Sequence, residues 1–251
     1  MKNTFLLMSL ILIFGFAAGG QEQIKKPKIF LEEYPLISES DLYCSIYVLE
    51  GNLPELRIIG AERQEEKVLL NDMDSFYVNM GKAEGLDVGQ VFLIIQAGPV
   101  IKDYGRLVMK RGRGRLIRLE EHRAVMRVER TCSQVEIGNC LLPFEEKEGL
   151  LGKDKGFSAF LDENTGISGS FLYLETDLKI SGTGQWGIVN LGKEQGIQVG
   201  QQLSIFRRIK NEFPREAIGN LVVIDTQQKT STVKILSCRD TVEVGDQVQT
   251  K

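Results

Sequence analysis

Histidine and tryptophan are almost missing from this 251-residue chain, which contains one of each. A Ser-His-Asp triad, a Cys-His pair or a histidine-containing metal centre would therefore have to use His122. This residue lies in a charged stretch beside Glu120, Glu121 and Arg123, where we expect a solvated side chain. The sequence predicts no catalytic residue, no metal ligand and no cofactor, and we expect a protein that is not an enzyme.

A large excess of charge of one sign is also missing. The chain has 31 basic and 34 acidic residues and a formal net charge of −3. A weakly acidic chain is not typical of proteins that bind nucleic acid, and its main basic run lacks the interleaved aromatic residues that stack on bases. Residues 112–114 read Gly-Arg-Gly without the Lys and Ser/Thr of a phosphate-binding loop. We expect no nucleic-acid partner.

Only one long apolar run occurs, Phe5 to Phe16. It follows a short positive start at Lys2 and precedes four small residues, which is the layout of a secretory signal peptide. The run is short for a permanent membrane anchor. We predict a signal peptide cleaved after Gly20 or Gly19, and export to the periplasm or another extracytoplasmic space. An uncleaved N-terminal anchor is the alternative.

An internal repeat organises the rest of the chain. Residues 78–90 read VNMGKAEGLDVGQ and residues 189–201 read VNLGKEQGIQVGQ, and eight of the thirteen positions are identical. An apolar strand and then a polar or basic loop are expected after each motif. Further parallels pair 114–117 with 219–222, 124–128 with 231–235, and 135–139 with 242–246.

Each copy has the pattern of β-structure. Residues 124–128 and 232–235 alternate apolar and polar side chains, which is typical of strands with one buried face. Residues 221–224 are apolar and β-branched, which favours a more buried strand. The best helical candidates are single turns at 82–84 and 193–195. We expect turns, where Gly tolerates positive φ, at Gly81, Gly85, Gly89, Gly138, Gly192, Gly196, Gly200 and Gly245.

The predicted fold is all-β, with two tandem copies of a small barrel or sandwich of five to six strands. The predicted boundaries are a signal peptide at 1–20, a flexible tail at 21–40, a first β-module with an N-terminal strand extension at 41–146, a linker at 147–170 and a second β-module at 171–251.

These motifs carry a family resemblance. The pattern G-K-x-x-G-[LI]-x-V-G-Q, followed by I-G-x-L-V-V, S-x-V-x-I and V-G-D-x-V, resembles the C-terminal β-domain of the flagellar T-ring/H-ring assembly protein. It is also similar to β-repeats beside LysM modules in exported proteins of acidobacteria-like bacteria. The resemblance covers about residues 40–251 and implies the fold, with no catalytic residues to carry over. The chain has no LysM sequence, so the resemblance does not carry glycan binding with it.

The four cysteines are Cys44, Cys132, Cys140 and Cys238. Four cysteines allow three pairings, between which the sequence does not choose. We favour Cys44 with Cys132, which would tie the N-terminal strands to the end of the first module. Cys140 with Cys238 would then tie the two modules together, with buried free thiols as the alternative.

One basic run stands out, formed by Lys110, Arg111, Arg113, Arg115 and Arg118. A milder run in the second copy contains Arg207, Arg208, Lys210 and Arg215. We expect both runs in hairpin loops. Such a loop either keeps an edge strand from pairing with other chains or contacts an anionic partner, such as a membrane surface or a cell-wall polymer.

The function expected from these features is that of a non-enzymatic structural or interaction protein of the cell envelope, with an envelope protein as its partner. A cell-wall or glycan-binding protein is the first alternative. A hydrolase with an unrecognised site is the second.

Overall fold

The computed structural model describes residues 34–62, 69–158, 166–175, 179–207 and 215–251, all within one unit that spans residues 32–251. The predicted signal peptide lies outside the described residues. The elements in chain order are β1 (Tyr34–Ile37), α1 (Glu39–Cys44), β2 (Ile46–Leu49), β3 (Ile58–Ala61), β4 (Leu69–Leu70), β5 (Ser75–Val78), β6 (Val91–Ile101), β7 (Gly105–Leu119), β8 (Ala124–Thr131), β9 (Val135–Glu136), β10 (Cys140–Pro143), β11 (Leu150–Gly152), β12 (Ser168–Leu174), β13 (Ile180–Ser181), β14 (Trp186–Val189), a 3₁₀ helix (Lys193–Gln195), β15 (Gln202–Arg207), β16 (Glu216–Thr226), β17 (Ser231–Cys238), β18 (Val242–Glu243) and β19 (Gln247–Thr250). The predicted all-β fold is confirmed.

The first large sheet has seven antiparallel strands. Six follow the order β10-β6-β7-β8-β5-β3, and β2 pairs with β7 outside this path. The two ends of the sheet meet, because Arg57 forms a bridge with Cys140 and the Leu141 amide donates to the Leu56 carbonyl at 2.9 Å. We call this sheet the first barrel. The interior is filled by apolar side chains that include Phe76, Ile94 and Met126.

The second large sheet is a closed six-stranded barrel in the order β12-β14-β17-β16-β15-β19. Its core includes Phe171, Ile205 and Val233. The pairings recur from the first sheet in the same order along the chain: β3-β5 and β12-β14, β5-β8 and β14-β17, β7-β8 and β16-β17, β6-β7 and β15-β16, and β6-β10 and β15-β19. The short pairs β4-β9 and β13-β18 also correspond.

The glycines of the repeated motif have two different roles. Six of the eight predicted turn glycines have positive φ, between 75° and 96°: Gly85, Gly89, Gly138, Gly196, Gly200 and Gly245. The other two are required by close backbone approach. A Cβ on Gly81 would lie 2.3 Å from the Glu120 carbonyl oxygen, and a Cβ on Gly192 would lie 2.4 Å from that of Gln228.

The strand pairings correct one part of the predicted repeat alignment. The Gly89 amide donates to the Leu116 carbonyl, and the Gly200 amide donates to the Val223 carbonyl, both at 2.8 Å. Leu116 therefore corresponds to Val223, so the predicted match of 114–117 with 219–222 is out of register by two residues. The correct partner of Gly219 is Gly112, and both lie against the neighbouring strand, β8 or β17. Because Gly112 and Gly114 are two residues apart, the sequence comparison matched Gly219 with Gly114 instead of Gly112.

The predicted basic hairpin loop in the first module is wrong. Residues 105–119 form β7, a fifteen-residue strand that pairs with β6 across a turn at residues 102–104. Alternation in this strand turns Arg111, Arg113 and Arg115 to one side and Lys110 to the other, where it is buried. A run of basic residues resembles a loop in the sequence, but alternate positions belong to opposite faces of the sheet.

The predicted tail and linker also contain regular structure. Residues 34–37 form β1, which pairs antiparallel with β11 at residues 150–152. Leu36, Ile37 and Leu42 then pack on Val222 and Ile224 of the second barrel. This cover explains why the strand containing residues 221–224 is buried on both faces. The part of the predicted tail at 21–33 lies outside the described residues.

A short α-helix, α1, connects this cover to the first barrel. Ser38 caps it: the Asp41 carboxylate accepts from the Ser38 amide at 2.8 Å, and the Ser38 hydroxyl accepts from the Asp41 amide at 3.3 Å. Six residues are too few to produce helical periodicity, so the sequence pattern missed it. In the described ranges no helix has the length and apolar character needed to cross a membrane. The predicted single turn at 193–195 is confirmed as a 3₁₀ helix.

Candidate functional site

The two barrels meet along β2 and α1. The hydroxyl of Thr232, on β17 of the second barrel, donates to the Ile46 carbonyl at 2.7 Å, and both residues are buried. Beside this bond, Ile46 and Val48 pack with Leu107 of the first barrel and Ile188 of the second. The junction is therefore a continuous apolar layer that contains buried hydrogen bonds.

Asp41 is the polar centre of the junction. Its side chain is buried, and its two oxygens accept from Trp186 Nε1 at 2.9 Å and from Lys234 Nζ at 2.7 Å. Burial alone raises the pKa of this carboxyl, but the hydrogen bonds from Lys234, Ser38 and Trp186 outweigh burial and hold the pKa below 3.8. Asp41 is therefore an anion at neutral pH, held by donors from both sides of the junction.

Lys110 is also buried at the junction. Its ammonium donates to the Leu42 carbonyl at 2.6 Å and to the Ser45 hydroxyl at 3.3 Å, and it lies 3.9 Å from Asp225 of the second barrel. Burial lowers its pKa to about 8, although Asp225 opposes the shift. Its predicted contact with a surface partner is therefore wrong, because its donors bind carbonyl and hydroxyl groups of its own chain.

The predicted disulfide between Cys44 and Cys132 is confirmed. The two Cα atoms lie 5.3 Å apart, and the bond joins the C-terminus of α1 to the residue that follows β8. Because α1 also carries Asp41, the bond fixes the segment that contacts the second barrel. The disulfide therefore fixes the junction as well as the first module.

The second predicted disulfide is wrong, since Cys140 and Cys238 are free thiols. Cys140 is on β10 and packs with Tyr47, Ile95 and Val108. Cys238 ends β17 and packs against the core of the second barrel. Each thiol is held in the apolar packing of a different barrel, so neither reaches the other.

Two clefts border the junction, and Lys110 contributes to both. The lysine cleft has a volume of about 310 Å³, and its wall includes Tyr43, Tyr47, Lys110, Phe144, Lys147 and Asp225. The arginine cleft has a volume of about 580 Å³, and its wall includes Lys110, Arg111, Arg130, Tyr173, Glu175 and Trp186. Both volumes are within the range of small-molecule sites, roughly 300 to 1,000 Å³.

In the lysine cleft the polar groups are already engaged with one another. Lys147 Nζ lies 3.3 Å from Asp225, and the Tyr43 hydroxyl bonds to both the amide and the carbonyl of Lys147. Burial, with a smaller effect from Asp225, raises the pKa of Tyr47 to about 12. This cleft is thus a satisfied polar seam between the barrels.

The arginine cleft differs because its cations exceed its acids. Arg111 and Arg130 line it, and Glu175 is the one carboxyl of its wall. The Lys110 ammonium does not contribute here, because it binds Leu42 and Ser45 on the opposite face of β7. Burial raises the pKa of Glu175, while a hydrogen bond from the Trp186 amide acts in the opposite direction. The cleft therefore combines two guanidinium groups, one carboxyl and an aromatic wall.

The structure separates the predicted basic run. Lys110 is buried at the junction, Arg111 reaches the arginine cleft, and Arg113 and Arg115 pair with Glu129 on the adjacent strand. Arg118 is 65% exposed and lies 3.4 Å from Glu120. The run is thus not one contact surface, since its members lie in different environments.

In the second module, Arg207 ends β15 and binds the Asp246 carboxylate through two hydrogen bonds of 2.7 Å. Asp240 and Glu243 lie near the same guanidinium. Arg215 is buried, with its guanidinium 4.4 Å from the centre of the Phe206 ring. Arg208 and Lys210 lie outside the described residues.

His122 is placed at the surface, as expected, with its side chain 73% exposed. Its Nδ1 lies 2.9 Å from a Glu84 oxygen, and this hydrogen bond raises the pKa of His122. Among the described residues, no group of three or more His, Cys, Asp or Glu side chains is arranged to hold a metal ion.

Sequence reasoning missed Asp41, Trp186 and Glu175. Asp41 is 145 residues from Trp186 and 193 residues from Lys234, so no local pattern joins them. One signal was available: Ser38 followed three residues later by an acid is the start of a capped helix, which would have placed Asp41 on α1. No protein-family model and no curated protein matches this sequence.

Proposed function

We propose that this chain is an exported, non-enzymatic structural or interaction protein of the bacterial cell envelope, in which two copies of one β-module act as a single rigid body. A rigid structure suits a protein that holds its binding partners at a fixed distance from each other, because internal motion would change that distance. The Asp41 contacts with Trp186 and Lys234 carry this proposal, since buried charged contacts join the two barrels.

The proposed duplication is supported by contacts that recur at matching positions. Asn79 accepts from the Arg57 amide at 2.7 Å, and Asn190 accepts from the Ser170 amide at 2.6 Å. The close-approach glycines of the two barrels meet equivalent backbone atoms. The resemblance of the sequence to the β-domain of the flagellar T-ring/H-ring assembly protein also supports the proposal, because that domain belongs to an assembly protein.

The proposed location is supported by the signal-like residues 1–20 and by the disulfide between Cys44 and Cys132. Disulfides persist in oxidising compartments and are rare in the cytosol. Export also gives a clear test. The full chain expressed in a bacterium should appear in the periplasmic fraction with a mass that lacks residues 1–20, and a chain that starts at residue 21 should remain in the cytosol. Recovery of the full-length chain in the cytosol would contradict the proposal.

The interaction role needs its own experiment. A photo-crosslinking amino acid at position 118 samples the outer side of the first barrel, and the same amino acid at position 102 samples the β6-β7 turn. We expect at least one of these positions to give a discrete, saturable adduct with an envelope protein. Adducts absent from both positions, and from a scan of the exposed residues of both barrels, would contradict this role.

A further inference from the structure

The geometry points to the arginine cleft as a binding site for a small carboxylated sugar. Arg111 and Arg130 would hold the carboxylate, and Trp186 and Tyr173 would form the wall against the sugar ring. This inference goes beyond the proposed scaffold role, because a rigid scaffold does not need a ligand between its barrels.

Arg111 is the main anion-binding group of the cleft. Its Nε donates to Gln96 Oε1 at 2.8 Å, and further hydrogen bonds join its guanidinium to Gln96 and Ser133. These acceptors are neutral and orient the guanidinium, while the Glu136 carboxylate acts on its charge through space. A guanidinium has five N–H donors, of which Gln96 and Ser133 use three and the Met109 sulfur, a weak acceptor, lies 3.5 Å from Nη2. Donors therefore remain for the oxygens of a carboxylate.

Arg130 provides a second cation. It lies 3.8 Å from Glu39, and both side chains are more than half exposed. Exposed ion pairs of this kind contribute little to stability, so Arg130 can exchange Glu39 for the carboxylate of a ligand. Two guanidinium groups on one wall select for an anion.

The wall of the cleft also contains one acid, Glu175. Burial disfavours the charged form of Glu175, and its second oxygen accepts from the Trp186 amide at 3.3 Å. The other Glu175 oxygen remains a hydrogen-bond acceptor, which suits the hydroxyl groups of a sugar.

The aromatic wall is held in place before any ligand arrives. Trp186 donates from Nε1 to Asp41, which fixes the plane of the indole, and Tyr173 lies on the neighbouring strand. Rigid aromatic side chains lose little conformational entropy when they bind. A cleft with a fixed apolar wall and charged groups at one end matches a ring that carries one carboxylate.

Trp186 is the only tryptophan of the chain, so its fluorescence reports on this cleft alone. We would titrate the mature chain with N-acetylmuramic acid from the cell wall, with 3-deoxy-octulosonic acid from lipopolysaccharide, and with neutral N-acetylglucosamine. Fluorescence and binding heat would both be followed. At least one acid should bind, about tenfold or more tightly than the neutral sugar, and the preferred acid identifies the source.

Arg111→Gln and Arg130→Gln should each weaken binding of the acid about tenfold, while Arg118→Gln, which removes the same charge outside the cleft, should leave it unchanged. Circular dichroism would establish that each variant is folded, and Arg130→Gln alone suffices if Arg111→Gln unfolds. Three results would overturn the inference: failure of both acids to saturate the protein at millimolar concentration, binding of the neutral sugar as tight as that of the acid, or binding of the acid by Arg130→Gln with full affinity.

Discussion

Asp41 and Lys234 form an ion pair of 2.7 Å although they are 193 residues apart, the first on α1 and the second on β17 of the second barrel. Both side chains are mostly withdrawn from solvent, and the Asp41 carboxylate also accepts from Trp186. Removal of one partner from a buried pair leaves the other charge without compensation, which is costly. Stability of the junction should therefore be sensitive to this one carboxylate.

The first prediction is that Asp41→Asn lowers the free energy of unfolding by about 2 to 4 kcal/mol. The cost arises because Lys234 loses its counter-charge. Urea unfolding followed by Trp186 fluorescence measures it, since this indole contacts Asp41 directly. Asp87→Asn removes the same charge at an exposed turn position and serves as the control. Equal stability of the two variants would show that the pair does not stabilise the fold.

The second prediction concerns acid. The pKa of Asp41 is below its ordinary 3.8 in the folded chain, so the unfolded chain takes up this proton first as the pH falls. The stabilisation is fully present above about pH 5 and is lost as the pH falls through the folded pKa. Free energies of unfolding measured from about pH 6 to about pH 3 should fall more steeply for the natural chain than for Asp41→Asn. Parallel curves would contradict the depressed pKa.

A third prediction uses the single histidine. The hydrogen bond to Glu84 raises the pKa of His122 above 6.5, so Glu84→Gln should bring it back towards this value. Any associated stability is present below pH 6.5 and is lost as the pH rises through the folded pKa. One imidazole resonance in an NMR titration reports the value without ambiguity. An unchanged titration midpoint of His122 in Glu84→Gln would show that Glu84 does not raise the pKa of His122.

The fourth prediction tests the cysteines. Unfolded but unreduced protein should have two reactive thiols, Cys140 and Cys238, and four after reduction. The disulfide between Cys44 and Cys132 closes a long loop, so its reduction should lower the free energy of unfolding by about 2 to 4 kcal/mol. Thiol titration and guanidinium unfolding with and without reductant provide the two measurements. A count of zero thiols before reduction would mean that the second pair also forms.

The fifth prediction concerns the glycines of the repeated motif. A Cβ at Gly81 or Gly192 would meet backbone atoms closer than 2.5 Å, so alanine at either position should destabilise the chain by about 1 to 3 kcal/mol. Gly182 has open space around the same position and no strained φ, which makes Gly182→Ala the matched control. Thermal unfolding of the three variants would show whether the two motif glycines are equivalent.

Local sequence patterns predicted much of the fold. The alternation of apolar and polar residues at 124–128 and the glycine spacing of the repeated motif are both properties of a few neighbouring residues. Such local patterns are enough to predict β-strands and turns. The pairing of Cys44 with Cys132 was favoured because these residues lie at the two ends of the first module. Neither inference needed knowledge of how the two modules pack.

The junction could not be predicted in the same way. Lys110 and Arg111 point to opposite faces of β7, but the sequence did not indicate this, because basic residues occur at successive positions and the pattern does not alternate between apolar and polar. Trp186 was visible as the single indole, but nothing near it in the sequence indicates Asp41 as its partner. Contacts between distant segments depend on packing, which composition and spacing do not describe.

The contact between Asp41 and Lys234 also sets an order of events during biosynthesis. The helix that carries Asp41 is among the first described residues to be made, and its partner on β17 is among the last. The surface that receives the second barrel cannot make this contact until residue 234 has been synthesised. The seam between the barrels therefore cannot close before β17 has been made, and a chain truncated before β17 would keep that seam exposed.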